Sequence, residues 1–206
     1  MARVEKVKIN LGCGNKILPG YLNVDLYNRQ AEMRADIRKI TFPENYADEV
    51  LGVHVIEHIN RAEGSVLIER AAGWLKPGGK LVLETPCAVK CWNLINQQRG
   101  PTSKLTLHGA KGFWGGRSGS SLVKKQWHRF LMNWARSVFD SKDFSSYQTE
   151  SVDPIFVQPG ERHEYVWDMH ELCQEMVAAG LDARREEPKF HGGRSYRDCR
   201  VVGVKP

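Results

Sequence analysis

KVKINLGCGNKILPGYLNVDL, Lys6 to Leu26, joins two short apolar runs through a glycine-bearing loop, and the second run ends on a carboxylate. KVKINL reads as a strand that LGCGN closes with glycines, and YLNVDL reads as a second strand. Glycines at a strand end let backbone approach a ligand where any side chain would obstruct it, so Gly12 and Gly14 are candidate binding positions. Asp25 stands at the end of the second strand, where a carboxylate can accept two hydrogen bonds from ribose hydroxyls. Two features depart from a dinucleotide fingerprint. Position 17 is Ile17 rather than a third glycine, and Pro19-Gly20 interrupts the roughly ten residues between Gly14 and Asp25, so a full crossover helix to hold a pyrophosphate does not fit. The stretch points away from NAD and toward a ligand with an adenosine but no diphosphate. The alternative is a tight turn that binds nothing.

The same grammar continues outward. EMRADI is a third strand, DEVLGVHV a fourth, RAEGSVLIERAAGWL a helix and GKLVLETP a fifth strand. Val66, Leu67, Ala71, Trp74 and Leu75 form the expected buried stripe of that helix, and KPGG is expected to stop it. VWDMHELCQEMVAAGL reads as a helix ending at Gly180, followed by the closing strands LDARREEP and CRVVGVKP, the last apolar enough to lie inside the sheet. Strands alternating with helices or loops predict an α/β, doubly wound, mostly parallel, seven-stranded Rossmann-like sheet. One domain spans 1–206, with a long insertion, 86–165, after the fifth strand. Within it SLVKKQWHRFLMNWARSVF reads as an amphipathic helix carrying Trp127, Phe130, Leu131, Trp134 and Val138 on one side.

A chain of 206 residues, 41% hydrophobic, can bury a sizeable core. No apolar run approaches a membrane span, and the N-terminus carries no signal-peptide pattern, so a cytoplasmic location is expected. The five cysteines form no C-x-x-C pair and indicate neither a disulfide framework nor a zinc ribbon. The net charge of +6 is uneven: about +1 over 1–85, +7 over 86–150 and −2 over 151–206.

GVHVIEHI, Gly52 to Ile59, contains H-x-x-E-H, which on a helix pairs two histidines as zinc ligands. Here the preceding residues read as a strand, so the motif straddles a strand end and a turn and no helical zinc pair is expected.

KINLGCGNKILPGYLNVDL, ADIRKITFPENYADEVLGVHVIEHI and LKPGGKLVLETP together resemble the class I S-adenosylmethionine-dependent methyltransferases, in particular domains with an L-G-C-G loop and an E-H after the fourth strand. The resemblance is close over 6–86 and loose over 163–206. It implies that S-adenosylmethionine is the cofactor, with Gly12, Cys13 and Gly14 around its methionine portion and Asp25, followed by Leu26, at the ribose. Asp36 would take the adenine amino group, Ile37 would lie beside the ring, and His54 would stand near the sulfonium. Related quinone-type enzymes place E-x-x-E-H at this point and can hold a divalent metal. His54 replaces the first glutamate, which weakens oxygen-ligand magnesium binding, so no metal is expected. Glu57 and His58 are then structural or acceptor-side groups, His58 otherwise serving as a cap on the following helix.

Methyl transfer from a sulfonium needs positioning above all, and a base only where the acceptor is protonated. Among His58, His128 and His163, the first and last are the leading candidate catalytic residues. The insertion is expected to form the acceptor-binding cap. Its charge, interleaved with Trp92, Phe113, Trp114, Trp127 and Trp134, suits nucleic acid through 86–150, or else a small aromatic core with solvated cations. The expected function is methyl transfer to a small-molecule or glycan-type acceptor. The alternatives are an RNA or protein acceptor and a non-catalytic binding module.

Overall fold

The computed structural model describes residues 6–96, 163–190 and 193–206. The helix expected over 121–139 and most of the insertion lie outside the described residues. The described residues form one seven-stranded sheet in the order β3-β2-β1-β4-β5-β7-β6. Its strands are β1 (Lys8–Leu11), β2 (Leu22–Asp25), β3 (Met33–Arg34), β4 (Ala47–Val53), β5 (Leu75–Pro86), β6 (Asp182–Glu186) and β7 (Asp198–Val204). β1 to β5 pair in parallel, and β7 runs antiparallel between β5 and β6. The doubly wound, mostly parallel sheet expected from the sequence is present, with CRVVGVKP inside it.

The sheet's two faces follow the two-residue period of a strand. Val50, Leu81, Leu83 and Val201 join the larger core under helix α1 (Arg61–Trp74) and helix α3 (Met169–Ala178), whereas Leu51, Val82 and Val202 face the opposite side. Gly64 of α1 is where the helix meets Trp167: a Cβ there would lie 2.6 Å from the indole. That contact seats the chain just ahead of α3 against α1.

Three local expectations need correction. Val66 is exposed, and the buried face of α1 is Gly64, Leu67, Ile68, Ala71, Ala72 and Trp74. The helix is not stopped by KPGG. Leu75 is already extended, and KPGG lies inside β5 at the irregularity where Ala47 pairs with Leu75 and Glu49 with Lys80. Finally, the insertion opens on a regular element, α2 (Ala88–Asn96), where no helix was expected; Ala88, Cys91 and Leu94 are buried on it.

The glycine loop after β1 is shaped by a buried amide. Asn23, fully buried on β2, accepts from Asn10 Nδ2 at 2.8 Å and from the Leu18 amide at 2.9 Å, and donates to the Leu18 and Tyr21 carbonyls, both at 3.1 Å. One side chain thus replaces the missing crossover helix by satisfying the backbone of the loop. Asn23→Ala strands several of those groups and should lower unfolding free energy by about 2–4 kcal/mol. A urea midpoint equal to that of the parent protein would refute this.

Candidate functional site

A cavity of about 530 Å³ opens at the carboxyl ends of the parallel strands, where doubly wound sheets bind ligands. Gly12, Gly14, Asp25, Leu26, Asp36, Ile37, His54 and His58 all line it. Cys13 does not: it is buried, its thiol contacts the Gly14 carbonyl at 3.5 Å, and burial pushes its pKa up. The lining also includes Tyr27, Asn28 and Arg38, which sequence reasoning did not single out, and Glu164, the neighbour of His163. Tyr27 and Asn28 were findable in principle, since they lie two and three positions past the acid that ends β2.

Gly12 is irreplaceable on two grounds. Its φ is +58°, in the left-handed region, and a Cβ there would lie 2.1 Å from Val55 Cγ2. Asp25 organises the loop around it. Its Oδ2 accepts from the Gly14 amide at 2.9 Å, and its Oδ1 accepts from the amides of Tyr27 and Asn28, each at 2.8 Å. The side-chain amide of Asn28 donates to the Gly14 carbonyl. A carboxylate offers about four acceptor sites, so three are taken and about one remains, on Oδ2. Asp36 is clamped by Arg38, whose Nη2 lies 2.6 Å from Oδ2, and the guanidinium holds the Asp36 carboxyl below its ordinary pKa.

The second half of the cavity is built by the turn after β4. His54 has φ +53°, unusual for a side chain larger than glycine, and its amide donates to the Glu84 carbonyl at 2.8 Å. Both ring nitrogens are committed: Nδ1 is 3.1 Å from Glu57 Oε1 and Nε2 is 3.0 Å from Asp198 Oδ2. Burial alone would lower the His54 pKa, but the two carboxylates raise it to about 9. The ring is therefore an imidazolium at neutral pH. Asp198 is held in turn by Arg197 Nε at 2.6 Å. Glu57 is fully buried, and although burial opposes its charge, the hydrogen bond from His54 keeps it ionised far below the usual carboxylate range. Its other oxygen accepts from Thr85 Oγ1 at 2.9 Å.

H-x-x-E-H thus straddles a strand end and the 3-10 turn Ile56–His58, as expected. His58 does not cap α1; Asn60 does, its side chain accepting from the Glu63 amide at 3.0 Å. The Glu57 carbonyl instead fastens the chain that returns from the insertion, accepting from the amides of Glu164 at 2.7 Å and Tyr165 at 3.3 Å. That pairing brings His163 to His58, ring centroids 5.0 Å apart and edge to face. Glu57, His58 and His163 each offer a ligand atom within 4.8 Å of the others.

Residues 10–83 match a family model described as a methyltransferase domain. No curated protein matches the chain. Among solved structures, the chain is similar to an S-adenosylmethionine-dependent methyltransferase from Mesorhizobium loti at 13% identity and a TM-score of 0.52, over 100% of this chain and 94% of that one. It is also similar to the 1,6-didemethyltoxoflavin-N1-methyltransferase of Burkholderia thailandensis, solved with 1,6-didemethyltoxoflavin and S-adenosylhomocysteine bound, at 11% identity and a TM-score of 0.50, over 97% and 70% of the two chains. A third is phosphoethanolamine N-methyltransferase 2 of Haemonchus contortus, at 13% identity and a TM-score of 0.51, over 100% and 50%. At these identities the solved structures speak for the fold, and the family match adds the glycine loop and the strand ends that line the cavity. The stretch 10–83 is therefore similar to a methyltransferase domain, and the fold is the one that S-adenosylmethionine-dependent methyltransferases share.

Proposed function

We propose that the chain transfers the cofactor's methyl group to a small-molecule or glycan-type acceptor seated beside His58. The observation that carries the proposal is the single cavity shared by the glycine loop, the two acids at the strand ends and His58. Gly12 and Gly14 leave room for the methionine portion, the remaining acceptor site on Asp25 Oδ2 takes a ribose hydroxyl, and Asp36 with Ile37 frames the adenine. The acceptor's lone pair attacks the methyl carbon in line as the sulfur–carbon bond breaks, leaving S-adenosylhomocysteine. Holding the two reactants in line supplies about 7–11 kcal/mol in well-oriented cases. Where the acceptor is a hydroxyl or an ammonium, its proton passes to His58, with His163 alongside.

The charge around the cavity favours a small acceptor over a nucleic acid. Among the described residues Asp25, Asp36 and Glu164 line it, and its two cations are already matched, Arg38 by Asp36 and His54 by Glu57 and Asp198. Among the described residues the cavity offers a polyphosphate backbone no surplus cation. The +7 surplus of 86–150 is what supports an RNA acceptor, and salt-dependent RNA binding by the full chain would favour that alternative.

S-adenosylhomocysteine should bind with a micromolar dissociation constant, about −7 to −9 kcal/mol. Asp25→Ala should weaken it by about 1–3 kcal/mol; a folded variant that binds as tightly as the parent in calorimetry removes Asp25 from the ribose site. Gly12→Ala should reduce the affinity at least about tenfold, because the loop must shift to relieve both the clash with Val55 and the left-handed backbone. Equal affinity would mean that the loop does not touch the cofactor.

We further propose that 86–165 is the acceptor-binding cap. Deleting residues 100–120, outside the described residues, should leave cofactor affinity within about threefold, under roughly 0.7 kcal/mol, while cutting turnover far more. Undiminished turnover by a folded deletion would show that the segment is not a cap.

A further inference from the structure

We propose that Glu57, His58 and His163 form a binding site for a divalent transition-metal cation of the zinc type, on the acceptor side of the cofactor cavity. The location beside the acceptor rests on the function proposed above; the binding of the ion does not.

The H-x-x-E-H stretch invites a site made of its own two histidines, and the geometry forbids it. His54 has both ring nitrogens spent on Glu57 and Asp198, so it has no lone pair to offer. The third ligand comes instead from His163, more than a hundred positions along the chain, in a segment no local motif contains. The backbone builds the triad: the Glu57 carbonyl anchors the Glu164 and Tyr165 amides, which fixes His163 against His58.

The donor set is two imidazoles and one carboxylate. Zinc centres with that set use three protein ligands and keep an open position. At zinc–ligand lengths of about 2.0–2.1 Å, tetrahedral ligand atoms sit about 3.4 Å apart. The 4.8 Å span therefore closes by side-chain rotation of little more than an ångström. Magnesium and calcium call for more oxygen ligands than one carboxylate offers, which is why the ion is of the softer, imidazole-binding class.

The surroundings have the form of an outer shell for a ligating carboxylate. Thr85 Oγ1 and His54 Nδ1 hold one Glu57 oxygen each, leaving each oxygen a second acceptor site. Behind them Asp198 and Arg197 hold His54. His58 lines the cavity, so an open coordination position on the ion faces the space the acceptor occupies. An oxygen, nitrogen or sulfur of the acceptor would complete the coordination and be oriented by it, and a protonated acceptor would then release its proton to solvent, because a His58 that holds the ion no longer accepts it.

The test uses the full-length chain stripped with a chelator. Zinc titrated by calorimetry should bind at one equivalent, and cobalt(II) should develop the visible absorption of a nitrogen/oxygen site. Removing an outer-shell partner typically costs about 10–100-fold in metal affinity. Thr85→Val should accordingly lose about tenfold, and His163→Ala and His58→Ala more than about 100-fold, while S-adenosylhomocysteine affinity stays within about twofold in His163→Ala. A folded parent protein that takes up no zinc or cobalt overturns the proposal. So does binding that neither histidine variant weakens, or a cobalt thiolate charge-transfer band, which would assign the ion to cysteines. Metal binding with these dependences in a protein that fails to bind S-adenosylhomocysteine would uphold the site and remove the methyltransferase setting instead.

Discussion

The turn that closes β4 depends on a buried row of alternating charges, Glu57, His54, Asp198 and Arg197, running from the end of β4 to the start of β7. Two negative and two positive groups sum to zero, which is the condition for keeping four ionised side chains away from water. The row also holds His54 in its left-handed backbone conformation, a strain of about 1–3 kcal/mol that persists only where the surroundings over-determine it. Taking out one member would leave its neighbour charged and unpaired, at about 3–5 kcal/mol. Strand β4 supplies the turn that lines the cavity, and β7 supplies the acid that pins that turn. The cofactor half of the sheet and the closing strands are therefore locked together by electrostatics as well as by ladder hydrogen bonds.

Much of the cofactor side was legible in the residues before the fold was known. Gly12, Gly14, Asp25 and Asp36 sit where strands end, and strand ends announce themselves through apolar runs closed by glycine or acid. Those positions all line the cavity. Cys13 does not line the cavity with them, because a residue between two glycines need not share their direction: its neighbours turn with positive φ and its side chain is buried. Val66 was misjudged because its spacing fits two faces of one helix, and only the sheet and Trp167 determine which face is covered.

The turn after β4 and its partners were far less legible. The union of Glu57, His58 and His163 depends on a backbone pairing across the whole insertion, and local periodicity carries no trace of it. The same is true of Glu84. It looks like a surface acid near the end of a strand, yet it is fully buried, takes the amides of Lys189 and Phe190 and pairs with Arg200 at 3.2 Å. Buried charges read as exposed in a sequence, because their partners are named only by the fold.

β7 lies between β5 and β6, yet the chain reaches it after both. Its Val204 pairs with Lys80, 124 positions away, so the ladder that joins the parallel strands to the closing pair is among the least local contacts of the sheet. On a ribosome, β1 to β5 can emerge and pair long before β7 exists, leaving β5 as an open edge with unsatisfied amides and carbonyls. β6 cannot cover that edge, because its own place is on the far side of the absent strand. Of the described strands, the one made last is thus the keystone of the sheet. Folding waits on non-local pairing, which makes it slow and leaves the half-made sheet exposed to chaperones and to other nascent chains.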